Sequence, residues 1–567
     1  MSVPFLPLQC LPVSKSTSES PSEDDPGGPS FIGTLDDDIL WSIFKINANM
    51  KGDMPGRPKV PLSQWRPRAL TATLACSQVC QSWRAMVLRS SSIWAGLIDI
   101  DYLFRLKLDG REEILGRIGG ALISVKGTIH TAEQREFVLR LLREEWHRLQ
   151  NFSIRISDLE SINDLFLQDD WAVLYTPSKS LQSFSFFPEN SNSIRSFIGP
   201  STLNIFGDEA PRLDSFSFRP TSALKFTGRW FSNLRDLYIE GTYTGTESIL
   251  GWLEALNRMN HLERLRVAYA ISVPADITSP LPIAQLPFLH TLVVHGRSIL
   301  EVALFLDHIF PGQGCGLRLC TQDTRTPSLT DPLFPRINAS LSRFSENWFG
   351  HARCLGTIYL SSSRNHLSIS HSEMPSIARD PLFEIIIHHG SHRRDVDFFL
   401  SFLHAFSLCD FSGITRMVIR GLEKDQMSTS HVQKFLKAFS NVEILKTGRP
   451  TLGPLIFSDR KQGDKHVVFP KLRKLVAHGA LFLTQPPLED SWTEFLQWRR
   501  KIEHPVPILD LTKCREAFPR EVLEAVRGLK VLWRDSDGEV QEYVCRSGKK
   551  RTFQEWVQER SSTILNR

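Results

Sequence analysis

The sequence predicts an α/β chain: an all-helical module near the N-terminus, then an irregular solenoid with parallel strands on its concave face and helices on its convex face. Three observations predict it. Apolar residues between 34 and 94 recur at helical spacing. Beyond residue 148 a short strand-like pattern, apolar-x-x-apolar-x-apolar, recurs about every 28 residues. And 567 residues are too many for one hydrophobic core, so several domains or a stacked array are required.

The leader comes first. Residues 14–30, SKSTSESPSEDDPGGPS, hold almost no apolar side chain, so burial cannot offset the entropy of ordering them. We therefore expect 1–30 to be a disordered leader and 31–100 a helical domain. Thr34 with Asp37 has the Thr-x-x-Asp capping form, and Asp36, Asp37 and Asp38 favour a helix start. Ile39, Leu40, Ile43, Phe44 and Ile46 follow at helical spacing. Residues 51–68, with Gly52, Pro55, Gly56, Pro58, Pro61 and Pro67, read as a loop. A second helix is expected to carry Leu70, Leu74, Val79, Cys80, Trp83 and Val87 on one stripe, ended by Ser90–Ser92 before the apolar pair Ile93-Trp94.

The repeats occupy 101–514. They begin at Leu149-Phe152-Ile154, Leu181-Phe184-Phe186, Leu213-Phe216-Phe218, Leu234-Leu237-Ile239, Leu262-Leu265-Val267 and Leu289-Leu292-Val294. They resume at Leu355-Ile358-Leu360, Leu382-Ile385-Ile387, Ile414-Met417-Ile419 and Leu472-Leu475-Ala477, with Val442-Leu445-Thr447 and Val506-Leu509-Leu511 as weaker members. In a chain that is 41% hydrophobic the bare pattern arises by accident at roughly 7% of starting points. The spacing is what counts: steps of 32, 32, 21, 28 and 27 from residue 149, and of 27, 32, 28 and 30 from residue 355. Several strands follow a Pro- or Asn-containing corner, as in Ser232-Asn-Leu234 and Ser440-Asn-Val442. One unit cannot bury its own apolar face, whereas stacked units bury each other's. This is the strand signature of leucine-rich repeats. Leu317 and Leu319, in the gap between 289 and 355, mark a degraded unit, and 515–567 reads as a C-terminal cap or tail.

The run Leu35-Asp-Asp-Asp-Ile-Leu-Trp-Ser-Ile-Phe, with Ser77-Gln-Val-Cys-Gln-Ser-Trp-Arg84 and Ser91-Ser-Ile-Trp94, resembles the F-box motif. A long loop between the halves and repeats behind them make the chain similar to the F-box-like proteins of mushroom-forming fungi. Asp36 stands where the family commonly has Pro, and the loop at 48–68 is longer than in the compact motif. The resemblance implies a helical module that docks on the Skp-family adaptor of a cullin ubiquitin ligase through Leu35, Ile39, Leu40, Ile43, Phe44, Val79, Trp83 and Trp94. The composition agrees, since two short helices with this many apolar side chains must pack them on something. That something is either a partner or the repeat array itself, with the helices serving as its cap.

In a solenoid of this kind, residues alternating with the buried ones face the hollow. The expected substrate-facing set is Asp236, Tyr238, Glu240, Arg264, Arg266, His295, Arg416, Arg420, Lys474 and His478, together with Thr291, Val293, Val418 and Val476. For any one of them taken singly, a solvated sheet face is the commoner explanation. Catalysis finds no motif: there is no phosphate-cradling Gly loop and no Gly-x-Ser-x-Gly elbow. Cys76 with Cys80 lacks a second pair at zinc spacing and reads as core thiols, and His388, His389 and His392 read as a solvated turn. No cofactor is expected. A net charge of +5 spread over 67 basic and 62 acidic residues argues against a nucleic-acid partner. The absence of any apolar run near 20 residues argues against a membrane span. Nine cysteines without paired spacing fit a reducing cytoplasmic or nuclear setting. The two functions left open are a ligase adaptor that binds a protein substrate and a repeat scaffold with no ligase role.

Overall fold

The computed structural model describes residues 35–50, 68–157, 168–188, 205–219, 226, 228–241, 247–273, 280–322, 334–351, 356–363, 366–372, 383–388, 400, 402–406, 408–422, 424–448, 451–456, 467–477, 491–513, 523–535 and 537–547. The expected leader, the loop at 51–67, Thr34, His389, His392 and His478 lie outside these residues.

Four helices open the described chain: α1 Asp37–Asn47, α2 Ala69–Cys76, α3 Gln81–Arg89 and α4 Ser91–Ala95. Asp36 caps α1, its carboxylate accepting from the Asp38 N–H at 3.0 Å. The expected second helix is two helices, broken at residues 77–80, and Cys80 becomes the extended residue that starts α3. Its thiol is therefore exposed, not in the apolar stripe where the helical pattern places it. The hydrogen bond from the Trp83 N–H and the Ser82 hydroxyl hold that thiol below its ordinary range. The helical module is tied to the sheet behind it. The Trp94 indole donates to Val87 O at 2.8 Å, Lys126 Nζ donates to Met50 O at 2.8 Å, and Arg68 forks onto Asp99 and Asp101 at 2.8 and 3.2 Å. One continuous core runs from Leu40 to Cys545.

The main sheet has eighteen strands among the described residues. In chain order they are β1 Ile98–Asp99, β2 Ile123–Ile129, β3 Leu149–Ile156, β4 Ser183–Pro188, β5 Ser215–Phe218, β6 Asp236–Glu240, β7 Arg264–Ala268, β8 Thr291–Gly296 and β9 Gly316–Gln322. Then come β10 Gly356–Ser362, β11 His366–Ser372, β12 Phe383–His388, β13 Ile414–Arg420, β14 Ile444–Thr447, β15 Lys474–Ala477, β16 Ile508–Asp510, β17 Lys530–Arg534 and β18 Val540–Val544. From β1 to β9 every strand lies parallel beside its predecessor. From β13 to β17 the same holds.

The stacking repeats in detail. At each corner the second residue of the motif donates its N–H to its counterpart one rung back: Gln182 to Gln150, Asp214 to Gln182, Arg235 to Asp214, Glu263 to Arg235 and His290 to Glu263, at 2.8–3.0 Å. The Asn residues of the corners do likewise, Asn233 Nδ2 to Pro211 O at 3.1 Å and Asn441 Nδ2 to Ser412 O at 2.6 Å. Inside, Phe152, Phe184 and Phe216 stack at 5.5 and 5.6 Å between centroids, a spine that the unusual Phe content supplies. Such rings gain about 0.5–1.5 kcal/mol per pair beyond burial. Helices back the array: after α5 Ile100–Leu103 and α6 Leu108–Gly116 come α7 Ala132–Glu145, with a Thr131/Gln134 capping box and Phe137, Val138, Leu141 and Leu142 buried, then α8 Ile249–Leu256, α9 Ile299–Asp307, α10 Phe334–His351, α11 Ser430–Lys437 and α12 Ser491–Lys501.

Between β9 and β13 the order reverses. The spatial sequence is β9-β12-β11-β10-β13, with β9–β12 and β10–β13 parallel and both pairs made by β11 antiparallel. The units read at 355 and 382 are thus not neighbours in register; a strand lies between them. The 18-residue α10, about 27 Å long, carries the chain from β9 past two strand positions before β10 is laid down. A tight hairpin, closed by Ser363 N–H to His366 O at 2.8 Å, then fills the space backwards. The degraded unit at 317–319 is a full strand, β9, and the weaker members at 442 and 506 are full rungs, β14 and β16. Part of the expected tail adds the antiparallel hairpin β17–β18 at the sheet's end.

Candidate functional site

Alternation along each strand sets where the described members of the expected set lie. Asp236, Tyr238 and Glu240 on β6, Arg264 and Arg266 on β7, His295 on β8, Arg416 and Arg420 on β13 and Lys474 on β15 all alternate with buried core residues and share one face. The register aligns Ser217, Tyr238, Arg266, Val293, Arg318 and Glu384 in one row across six strands.

In the first half of the face the charges are matched. Arg264 pairs with Asp236, Arg219 with Glu240, and Arg318 with Glu384 at 2.7 Å. Tyr238 sits at the centre: its hydroxyl donates to Glu240 at 2.7 Å, Arg266 lies 5.0 Å over its ring, and the Phe187 ring is 5.1 Å away. Burial and then the Glu240 carboxylate push the phenol well above its ordinary range. His295 is pulled the other way by burial, then by Arg318 and Arg266, and its Nε2 is buried with no hydrogen-bond partner among the described residues. Phe187, Arg219, Arg318 and Glu384 were not foreseen. Arg219 lies just past the end of β5, and the other three needed the register of β4, β9 and β12, which only pairing supplies.

The second half differs. Lys474 is matched by Asp510 at 2.7 Å. Arg416 and Arg420 are exposed and have no carboxylate partner among the described residues. Lys446, opposite Val418 and hence between them, has its ammonium pKa lowered by burial, then by Arg420 and Lys513.

The N-terminal set divides. Leu40, Phe44 and Trp94 are buried within the chain, which corrects their assignment to an adaptor surface. Trp83 is half-buried, edge-on to Phe44 at 5.0 Å. Leu35, Ile39, Ile43 and Val79 remain exposed, and Ile46 extends their row. Ile39, Ile43 and Ile46 fall on one side of α1, at the i, i+4, i+7 spacing of a helix stripe.

Among the described residues no cluster of three or more His, Cys, Asp or Glu could hold a metal, and no helix is long and apolar enough to cross a membrane. His388 faces His366 across the β11–β12 pair, with ring centroids 5.6 Å apart. Cys315 is buried just ahead of β9, and burial pushes its thiol up to about 12.

No family model and no curated protein matches the chain. Among solved structures it is similar to the leucine-rich repeat-containing protein LegL7 from Legionella pneumophila, at 12% identity over 78% of this chain and 98% of that one, with a TM-score of 0.22. A superposition that loose carries no weight for the site. The assignment of a parallel-dominated repeat solenoid rests on the strand register and the rung-to-rung hydrogen bonds.

Proposed function

We propose that the chain is the substrate-recognition subunit of an SCF-type cullin ubiquitin ligase, docking on the Skp-family adaptor through α1 and holding a protein substrate on the concave face. The observation that carries this reading is the exposed stripe of Leu35, Ile39, Ile43 and Ile46, with Val79 beside the break between α2 and α3. The rest of the module packs its large side chains inward, so the stripe is not a by-product of a loose unit. A row of branched aliphatic side chains left in water at one helix face supports a protein interface. The concave face supports the other half, since Tyr and Arg grouped on a rigid sheet are the residue types that dominate protein interfaces. The chain contributes binding and no covalent chemistry, in a cytoplasmic or nuclear setting.

A second reading is a repeat scaffold for protein interactions with no ligase role. The bonds that tie the module to the sheet, Lys126 to Met50 O and Arg68 to Asp99, favour it, because that is how a terminal cap behaves. Co-purification decides between them. The intact chain is expected to retain the Skp-family adaptor, and Ile39→Ala with Ile43→Ala to lose it while the array stays folded. Failure of the intact chain to bind the adaptor leaves the scaffold.

A further inference from the structure

On the first half of the concave face each arginine that faces a carboxylate has one within reach, or rests on an aromatic ring, as Arg266 does on Tyr238. On the second half the compensation stops. Arg416 and Arg420 stand two alternations apart on one side of β13, roughly 13 Å from end to end at a strand's rise of about 3.3 Å per residue. Lys446 lies on the next strand, in register with the residue midway between them. Lys513, exposed beyond β16, adds a fourth cation that acts on Lys446. No carboxylate among the described residues pairs with any of the four; Asp510, which also acts on Lys446, is taken by Lys474.

Repulsion among these cations costs the folded chain stability, and burial of the Lys446 stem raises that cost. Nothing in the packing demands it, because the same rungs bury their aliphatic residues on the opposite side. The floor between the cations is apolar, formed by Val418 and Val476, which flank Lys446 in one row across β13, β14 and β15.

We propose that this part of the concave face binds an acidic segment of a protein partner in extended conformation, the anionic groups on its sheet-facing side meeting Arg416, Arg420, Lys446 and Lys513 and the methylene stems that carry them covering Val418 and Val476. In an extended chain, residues two apart lie about 6.6 Å from each other and point the same way. That spacing matches the step from Arg416 or Arg420 to the position opposite Lys446. A carboxylate or a phosphoryl group supplies the anion equally well, and guanidinium groups take either in two-point contact. A concave strip four cations long, in a chain of net charge +5, fits a short peptide better than a nucleic-acid backbone. The proposal rests on the reading of the concave face as the substrate surface and names the chemistry of what it takes.

The test is fluorescence anisotropy on the full chain with three labelled ten-residue peptides: alternating Glu and Val, alternating phosphoserine and Val, and alternating Gln and Val. The first or second should bind, the third should not, and binding should weaken about tenfold between low and high salt. Whichever of the first two is tighter identifies the anion. Arg420→Ala with Lys446→Ala should weaken binding at least about tenfold. Arg143→Ala, on α7 at the back of the array, should leave binding unchanged. Arg416→Glu with Arg420→Glu should reverse the preference, towards a peptide of alternating Lys and Val. Equal binding of the neutral peptide, no binding of either acidic one, or tighter binding of an oligothymidylate of equal charge overturns the proposal. The Skp-family adaptor is scored in parallel on the same proteins. Adaptor binding without acidic-peptide binding refutes this inference alone, whereas acidic-peptide binding without adaptor binding refutes the ligase reading alone.

Discussion

Ile39 and Ile43 offer the sharpest separation of docking from folding. They are 51% and 39% exposed, one helical turn apart on α1. Full burial of an Ile side chain stabilises by about 1.5–3 kcal/mol, so covering the exposed half of each contributes about 1 kcal/mol to docking. Replacing both by Ala should therefore cost about 2 kcal/mol of association, or about 30-fold in Kd. Within the chain the same change removes part of the inward packing, but Ala is the better helix former by a few tenths of a kcal/mol per site, which offsets some of it. Phe44→Ala is the contrast. Phe44 is 1% exposed and packs edge-on against Trp83, so its loss should cost about 3–5 kcal/mol of stability and unseat the module. Titration calorimetry against the purified Skp-family adaptor measures the first effect, and thermal unfolding by near-ultraviolet circular dichroism the second. A change in Kd of less than about threefold for the double variant, with its melting curve unchanged, would refute the assignment of this stripe to the adaptor.

Other outcomes rest on the same geometry. Trp94→Ala removes a fully buried indole and its donor to Val87 O, and should cost about 3–5 kcal/mol; hydrogen exchange should then rise across α1 to α4 and not across β13 to β15. Gly421 follows β13 with a φ of +68°, and a Cβ there would lie 1.8 Å from Ser362 O at the end of β10. Gly421→Ala should destabilise by about 2 kcal/mol or more on strain and clash together; an unaltered melting temperature would contradict the placement of β10 beside β13. His295 is held neutral by burial and by Arg318 and Arg266, so its folded pKa lies below the ordinary value of about 6.5. The unfolded chain binds that proton more readily, so stability should be intact above about pH 6.5 and fall as the pH drops below it. His295→Gln should flatten that fall, and melting temperatures at neutral and mildly acidic pH measure it.

The concave face was legible because strand geometry makes it so. Once Leu234, Leu237 and Ile239 are read as inward, Asp236, Tyr238 and Glu240 must face the other way, and the same holds for β7, β8, β13 and β15. Pairing partners were not legible. That Arg264 meets Asp236 and that Arg416 and Arg420 meet no described carboxylate depends on which strands adjoin, and alternation carries no information about neighbours. The break at residues 77–80 was missed because Val79, Cys80, Trp83 and Val87 continue a helical period across it. Periodicity records which side chains are apolar, not whether the backbone turns between them.

The amino-acid sequence by itself determined the repeating unit: its length, its inward residues, the helices behind it and the helical module ahead of it. These come from local sterics and from the need of each rung to bury one side. The tertiary structure alone decided two things. One is the reversed order β9-β12-β11-β10-β13, since the alternating residues of β10, β11 and β12 suit parallel and antiparallel neighbours alike. The other is how the apolar side chains of the first helices divide, with Leu40, Phe44 and Trp94 sealed inside the chain and Leu35, Ile39 and Ile43 left outside. Burial is a property of what lies opposite a side chain, and what lies opposite is set by the packing of distant segments.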